Sequence, residues 1–441
     1  MSQIDYIVKP GGQLAGEFRV PGDKSISHRS IMFGAIADGT THVTGFLQGD
    51  DSLNTLRAFR AMGVEIDGPN DLGEVTIHGV GIDGLTAPAG DIDLGNSGTS
   101  IRLMSGLLAG QTFDVVLSGD RSLSKRPMKR VTDPLALMGA RVDTEAGGKP
   151  PLRIHGGSAI KGIDYQLPMA SAQVKSCVLL AGMYARGKTC VTEPAITRDH
   201  TERMLNAFGY TVQTHSTKLG SQMCIEGGGR LTACNIDVPA DISSAAFFLV
   251  GASIAQNADI TLQHVGVNPT RTGVIDILKL MGADIQLLNE REVGGEPVAD
   301  IRVKSTQLKG INVPQNLVPL AIDEFPVLFV AAACAEGQTV VSGAEELRVK
   351  ESDRIQVMAD GLLAIGVDCE ATTDGMIING GSIKGGKVHS RDDHRIAMAF
   401  TMAGLRSEAD IIIEDCENVS TSFPDFIGLA NRAGIKVSIA N

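Results

Sequence analysis

Six times along the chain an amphipathic apolar pattern runs into a glycine and then into β-branched or alternating residues. The stretches are "RAFRAMGVEI", "PLALMGARVD", "RMLNAFGYTV", "ILKLMGADIQ", "GLLAIGVDCE" and "LANRAGIKVS". Their glycines, Gly63, Gly139, Gly209, Gly282, Gly366 and Gly434, recur at intervals of roughly 70 to 85 residues, the signature of an internal repeat. Each stretch predicts a helix, a left-handed glycine that stops it, and a strand. Upstream of each lies a second signal, in which small or charged residues open a more strongly apolar helix. These openings read "GDKSISHRS", "GNSGTSIRL", "PMASAQVKS", "PADISSAAF", "AIDEFPVLF" and "RDDHRIAMA". Six units of strand, helix, strand, helix, strand predict an α/β protein. Three units per domain is the simplest division, with residues 22–239 in one lobe and residues 1–21 and 240–441 in the other. "NIDVPADISS", residues 235–244, reads as the crossover, punctuated by Pro239.

Composition narrows this picture. A chain of 441 residues is too long for one ordinary core. Its most apolar stretch, "AAFFLVGASIA" (245–255), falls short of the roughly 18 residues that span a bilayer and reads as a buried helix. The opening "MSQIDYIVKP" lacks the basic and apolar regions of an export signal. Seven cysteines are scattered without a C-x-x-C pair, which predicts free, mostly structural thiols in a reducing cytoplasm. A net charge of −12 argues against nucleic acid as a partner. Against that background the cluster Lys24, Ser25, His28, Arg29 reads as a pocket for a small anion.

The other openings extend this theme. Ser25 and Arg29 lie four apart and share a helix face with Lys24 close by, a point charge and a fork suited to phosphate and carboxylate. In "LGNSGTSIRL", Gly98 lets a ligand approach backbone N–H groups at a helix start. "SGDRSLSKRPMKR" contains a solvated basic face, from which Arg126, beside Pro127, is the residue expected to point inward. "PMASAQVKS" offers Ser171, Ala172 and Gln173, and "TRDHTER" offers Arg198. Asp323 and Glu324 head an apolar segment, where they either cap a helix or place a base in an anion site. "LRVKESDR", with Arg348, Lys350, Glu351, Asp353 and Arg354, reads as mixed charge in exposed ion pairs. Asp392, Asp393, His394 and Arg395 close the set. Neither a P-loop, a G-x-S-x-G elbow, a dinucleotide fingerprint nor an H-E-x-x-H metal spacing occurs. The sum is two anionic ligands and proton transfer, without a metal or organic cofactor.

The strings "PGDKSISHR", "LGNSGTSIRL", "SLSKRPM", "PMASAQVKS", "TRDHTE", "NPTRTG", "IDEFP", "LRVKESDR", "DHRIAM" and "TSFPDF" together closely resemble the 5-enolpyruvylshikimate-3-phosphate synthase family. Their spelling is that of its class II bacterial branch. The resemblance implies a two-lobed enolpyruvyl transferase fold, each lobe an inside-out α/β barrel of three βαβαββ units that close on substrate. It implies transfer of the enolpyruvyl group of phosphoenolpyruvate to the 5-hydroxyl of shikimate 3-phosphate, on the route to chorismate. By the same carry-over, Lys24, Ser25, Arg29, Ser171, Ala172, Gln173, Arg198, Asp323 and Lys350 hold shikimate 3-phosphate. Lys24, Gly98, Arg126, Gln173, Arg354 and Arg395 hold phosphoenolpyruvate. Asp323 accepts the proton of the attacking hydroxyl, and Glu351 moves a proton at the methylene carbon, with Lys24 and His394 assisting. A cytoplasmic monomer without membrane or nucleic-acid partners is implied.

One departure stands out: Thr421, in "STSFPD", occupies a position where many relatives carry lysine. Three rival readings remain at this stage. A sister transferase acting on UDP-N-acetylglucosamine typically carries a cysteine in its mobile loop, and "SGDRSLSKRP" has none. An RNA 3′-phosphate cyclase shares the repeat, but acidity and 4% aromatic residues oppose it. A non-catalytic binder of phosphorylated metabolites would not need Asp323, Glu351 and His394.

Overall fold

The computed structural model describes residues 4–218 and 220–440. Among them run twelve α-helices: α1 Lys24–Ala35, α2 Asp50–Ala61, α3 Gly98–Leu108, α4 Lys129–Leu137, α5 Ala172–Gly182, α6 His200–Ala207, α7 Ile242–Ile254, α8 Gly273–Leu280, α9 Phe325–Ala333, α10 Arg354–Ala364, α11 His394–Ala403 and α12 Phe426–Ala433. The six openings start α1, α3, α5, α7, α9 and α11. The six repeat glycines follow the other six helices, at φ between 80° and 107°. That left-handed backbone is cheap only for glycine, which is why the same residue ends every second helix.

Six sheets accompany the helices, and five share one strand order. Ile92–Asp93 shows it: this short strand pairs in parallel with Val115–Ser118, which pairs antiparallel with Lys149–His155, which pairs antiparallel with Arg141–Glu145. In the remaining sheet, Gln338–Val341, Met376–Asn379 and Asp368–Ala371 keep the antiparallel part. There the parallel edge survives only as the isolated bridges Lys309↔Glu336 and Asn312↔Val340.

The chain divides into two units: Lys24–Val238, and the described residues up to Asp23 together with those from Pro239 onward. In the first, the opening strand Ala37–Thr44 receives Leu231–Thr232 and Ile236–Asp237 from the unit's own end. In the second, the N-terminal segment supplies strands to two sheets. Tyr6–Gly12 lies between Ile411–Glu414 and Ile435–Ile439, and Ala15–Phe18 pairs with Asp259–Gly266.

Each unit has its own hydrophobic core. At its centre stand the helices that open each repeat: α3 packs on α1 and α5, while α7, α9 and α11 pack on one another. Every residue of α7 and α9 is buried, as expected of helices apolar all round. No helix among the described residues is long and apolar enough to cross a membrane.

One cysteine expectation is corrected. Cys190 and Cys224 form a disulfide, while Cys177, Cys234, Cys334, Cys369 and Cys416 are free. The two bonded residues are 34 apart in sequence but lie directly opposite each other on antiparallel strands Lys188–Glu193 and Gly220–Glu226, with Cα atoms 4.1 Å apart. Sequence spacing does not display a cross-strand register.

The crossover segments are tied down inside the second unit. The Asp23 N–H donates to the Pro239 carbonyl (2.8 Å), and the Asp241 N–H to the Pro21 carbonyl (2.9 Å). Arg271 is buried beside both, 3.3 Å from Asp23 and 3.4 Å from Asp241, and donates to Ser243 Oγ at 2.6 Å. Burial, then the Asp23 carboxylate, raise the Asp241 pKa above its ordinary 3.8, although Arg271 and Arg395 pull it down. An acid that binds its proton more tightly when folded stabilises the fold most at low pH, and loses that contribution as pH rises through the folded value. Asp241→Asn cannot titrate. The melting temperature of the parent protein relative to Asp241→Asn should therefore be highest near pH 4 and fall toward neutrality. A difference that stays flat or grows with pH would contradict this.

Candidate active site

In the unit Lys24–Val238, Lys24 begins α1, and its Nζ lies 3.1 Å from Asp51 in the first turn of α2. Arg29, one turn further along, is buried. Its Nε donates to Thr201 Oγ1 (2.8 Å), and its two terminal nitrogens donate to the Ser25 carbonyl (2.9 Å) and Ser176 Oγ (3.1 Å). The predicted shared face of residues 25 and 29 is thus closed by a hydrogen bond. Behind it, His28 Nδ1 lies 2.8 Å from Thr55 Oγ1, which lies 2.7 Å from Ser100 Oγ. This buried relay locks α1, α2 and α3 together.

Gly98 starts α3, with Ser97 as the cap that accepts from the Ser100 N–H. A β-carbon on Gly98 would fall 2.8 Å from an Arg102 guanidinium nitrogen and 2.9 Å from one of Arg126. Arg102 is buried and donates to the Gly98 carbonyl (3.1 Å) and to Gln173 Oε1 (2.9 Å). Gln173 in turn donates to Thr99 Oγ1 at 3.2 Å. Arg126 follows a 3-10 turn, Leu123–Lys125, and donates to Asn96 Oδ1 (2.5 Å) and Ser122 Oγ (3.3 Å). Two guanidiniums thus converge on a helix N-terminus, where the backbone dipole adds further positive potential. Arg121, Lys125 and Lys129 are exposed, the solvated part of that basic run. Ser171 caps α5, which places Ala172 and Gln173 in its first turn. Arg198 stands half-buried just ahead of α6.

The other unit gathers acids. Arg354 is 1% exposed, which corrects the expectation of exposed ion pairs for this residue. Its Nε donates to Asp393 (2.8 Å), and its terminal nitrogens donate to Asp323 (3.2 Å) and Glu351 (2.5 Å). Burial alone would weaken its hold on the proton, but Asp393, Glu351 and Asp323 outweigh it and raise its pKa. The residues around it are ion-paired but only half-exposed, with Arg348 pairing Asp353 at 2.7 Å and Lys350 lying 2.8 Å from Glu346. Lys350 also lies 3.4 Å from Asp323. Arg395 donates to the Asp323 carbonyl at 3.0 Å, and its neighbour His394 is buried at the start of α11. Glu324 makes no cap; it accepts from Ser243 Oγ and lies 3.8 Å from Arg395. Thr421 ends a 3-10 turn and donates to the Asn418 carbonyl at 2.6 Å.

The structure thus brings Gly98, Arg126 and Gln173 into one cluster, and Asp323, Lys350, Glu351, Arg354 and Arg395 into another. Arg102, Asp51 and Asp393 went unassigned in the sequence. The first had a legible signal, since it lies four residues after Gly98 on the same helix face. Asp393 lies beside His394 and caps α11 as well as holding Arg354, a double duty that no local pattern displays.

Comparison with known proteins gives the family. The family model described as EPSP synthase (3-phosphoshikimate 1-carboxyvinyltransferase) matches residues 8–429. The 3-phosphoshikimate 1-carboxyvinyltransferase of Hydrogenovibrio crunogenus is 67% identical over 440 residues, covering 99% of each chain. That of Alkalilimnicola ehrlichii is 66% identical over 436 residues, covering 99% of this chain and 97% of its own. A solved EPSP synthase structure from Acinetobacter baumannii superposes with a TM-score of 0.89 at 61% identity, covering 100% of both chains. With a family match from residue 8 to 429 and relatives about two-thirds identical across nearly their whole length, the chain belongs to the EPSP synthase family.

Proposed function

We propose that this chain transfers the enolpyruvyl group of phosphoenolpyruvate to the 5-hydroxyl of shikimate 3-phosphate and releases phosphate. The observation that carries this reading is the set of carboxylates around Arg354. A protein that only bound anions would gain nothing from acids among its cations. Addition of an alcohol across an enol phosphate does need them: a proton goes to the methylene carbon and another leaves the attacking oxygen. Elimination then takes a proton back from the methyl carbon as phosphate departs.

In this reading Lys24, Ser25, Arg29, Ser171, Ala172, Gln173, Arg198, Asp323 and Lys350 hold shikimate 3-phosphate. Gly98, Arg126 and Gln173, with Lys24, take phosphoenolpyruvate, together with Arg354 and Arg395. Asp323 is the base at the 5-hydroxyl, with Lys350 3.4 Å and Arg354 3.2 Å from its carboxylate. For Arg354 to take a substrate oxygen, one of its carboxylates gives way. Glu351 is the one expected to do so, since its side chain is 25% exposed against 13% for Asp323 and 0% for Asp393. Its release frees it to move a proton at the methylene carbon, with Lys24 and His394 assisting. Side chains carry every proton transfer. The setting proposed is a cytoplasmic monomer.

The first test measures phosphate release from phosphoenolpyruvate with shikimate 3-phosphate or UDP-N-acetylglucosamine as acceptor. Release should occur with the first alone. Asp323→Asn and Lys24→Met should each lower kcat/KM by about 100-fold or more, the scale of losing a positioned base or cation. Turnover with the nucleotide sugar, or none with either acceptor from folded protein, would overturn the assignment.

Gly98→Ala gives a second test. The added methyl group meets only the ends of two flexible guanidiniums, so the variant should fold with a melting temperature close to that of the parent. By resemblance to the family, the small residue at position 98 leaves room for the inhibitor glyphosate, and the two guanidiniums must move to admit a methyl group, so glyphosate should inhibit the variant less and KM for phosphoenolpyruvate should rise. Unchanged inhibition would refute this steric account.

A further inference from the structure

We propose that Lys175 is a positioning residue for the shikimate 3-phosphate site, acting through the segment that carries Arg198; the inference rests on the site reading above. Lys175 lies one turn into α5, just after the capping Ser171 and the site residue Gln173. Its side chain is 1% exposed. Burying an ammonium group is costly, and a fold that does so must surround it with partners. Lys175 Nζ lies 2.8 Å from Glu202 and 3.2 Å from Glu193, whose side chains are 7% and 2% exposed. It also lies 3.5 Å from the Thr197 carbonyl oxygen.

These partners bracket Arg198. Glu193 ends the strand Lys188–Glu193, and Glu202 lies in the first turn of α6. Between them the segment 194–199 has no regular structure. Glu193 grips it directly: its carboxylate accepts from the Thr197 N–H (3.2 Å) and from Thr197 Oγ1 (2.5 Å). Thr197 is the residue immediately before Arg198. A second clamp involves the adjacent residue on each helix, where Ser176 Oγ and Thr201 Oγ1 lie 2.7 Å apart and both accept from Arg29. The start of α5, the segment before α6 and the Arg29 side chain are therefore held as one piece. Removing the ammonium would leave two buried carboxylates facing each other and would release the grip on Thr197.

The test is a double-mutant cycle on steady-state kinetics. Arg198→Ala establishes whether Arg198 holds the substrate, and should raise KM for shikimate 3-phosphate at least tenfold. Lys175→Met should raise that KM by several-fold or more, leave KM for phosphoenolpyruvate within about twofold, and be partly rescued by Lys175→Arg. Added to Arg198→Ala, it should change KM for shikimate 3-phosphate no further, because residues that act through one another are not additive. Thr197→Val, which removes one hydroxyl from the same grip, should show a smaller effect of the same kind in a protein that folds even if Lys175→Met does not. An unchanged KM in Lys175→Met and Thr197→Val, or equal effects with and without Arg198, would overturn the inference and leave the site reading standing. An unchanged KM in Arg198→Ala would overturn both.

Discussion

A helix that is apolar on every side must be enclosed on every side, and this constraint organises the molecule. The central helices of each unit are walled in along their length by sheets and outer helices. In α1, α3, α5 and α11 the residues that escape full burial all lie in the first two positions. Those positions hold Lys24 and Ser25, Thr99, Ala172 and Gln173, and Arg395. In α9 the polar pair Asp323–Glu324 stands just outside the first turn. On these helices the half-buried positions thus lie at the N-termini, the ends whose free N–H groups and dipole favour anions. The repeat that builds the core also builds the sites.

Confinement of that kind requires charges to be buried, and the clusters around Arg354 and around Gly98 do so differently. Around Arg354 three carboxylates share one guanidinium. Around Gly98, Arg102 donates to the Gly98 carbonyl and the Gln173 amide oxygen, and Arg126 donates to the Asn96 amide oxygen and the Ser122 hydroxyl. Arginine suits both settings, because its planar fork bonds in several directions and it does not lose its proton. The first arrangement fixes acids in place; the second sets two guanidiniums beside a helix N-terminus.

Much of this was legible in the sequence. The six glycines and six helix openings are local signals, each written in a few consecutive residues, so the repeats could be counted before any tertiary contact was known. Gly98, Arg126 and Gln173 were identified by their motifs and meet in space. What stayed hidden depends on register or on remote burial. The Cys190–Cys224 bond follows from strand alignment across 34 residues. Arg354 sits in a string of alternating charge that looks solvated, and only the packing of α10 and α11 puts it beside Asp393. Lys175 looks like a lone lysine in an apolar helix until Glu193 and Glu202 arrive from later in the chain. The fifth repeat kept its signals although its parallel strand is reduced to two bridges, since helix caps are written locally and an edge strand is not.

The placement of Tyr6–Gly12 has a consequence for how the chain is made. Lys24–Val238 is continuous and can close its own sheets as soon as Ile236–Asp237 has left the ribosome. The other unit cannot. Its strand Tyr6–Gly12 is made ahead of Lys24–Val238, yet both neighbours of that strand, Ile411–Glu414 and Ile435–Ile439, are made only well after that unit is complete. Throughout elongation this strand waits with both edges unsatisfied beside a finished neighbour, an aggregation hazard for a nascent chain. The two units therefore mature in a fixed order, and the one that holds Asp323 and Arg354 is completed last.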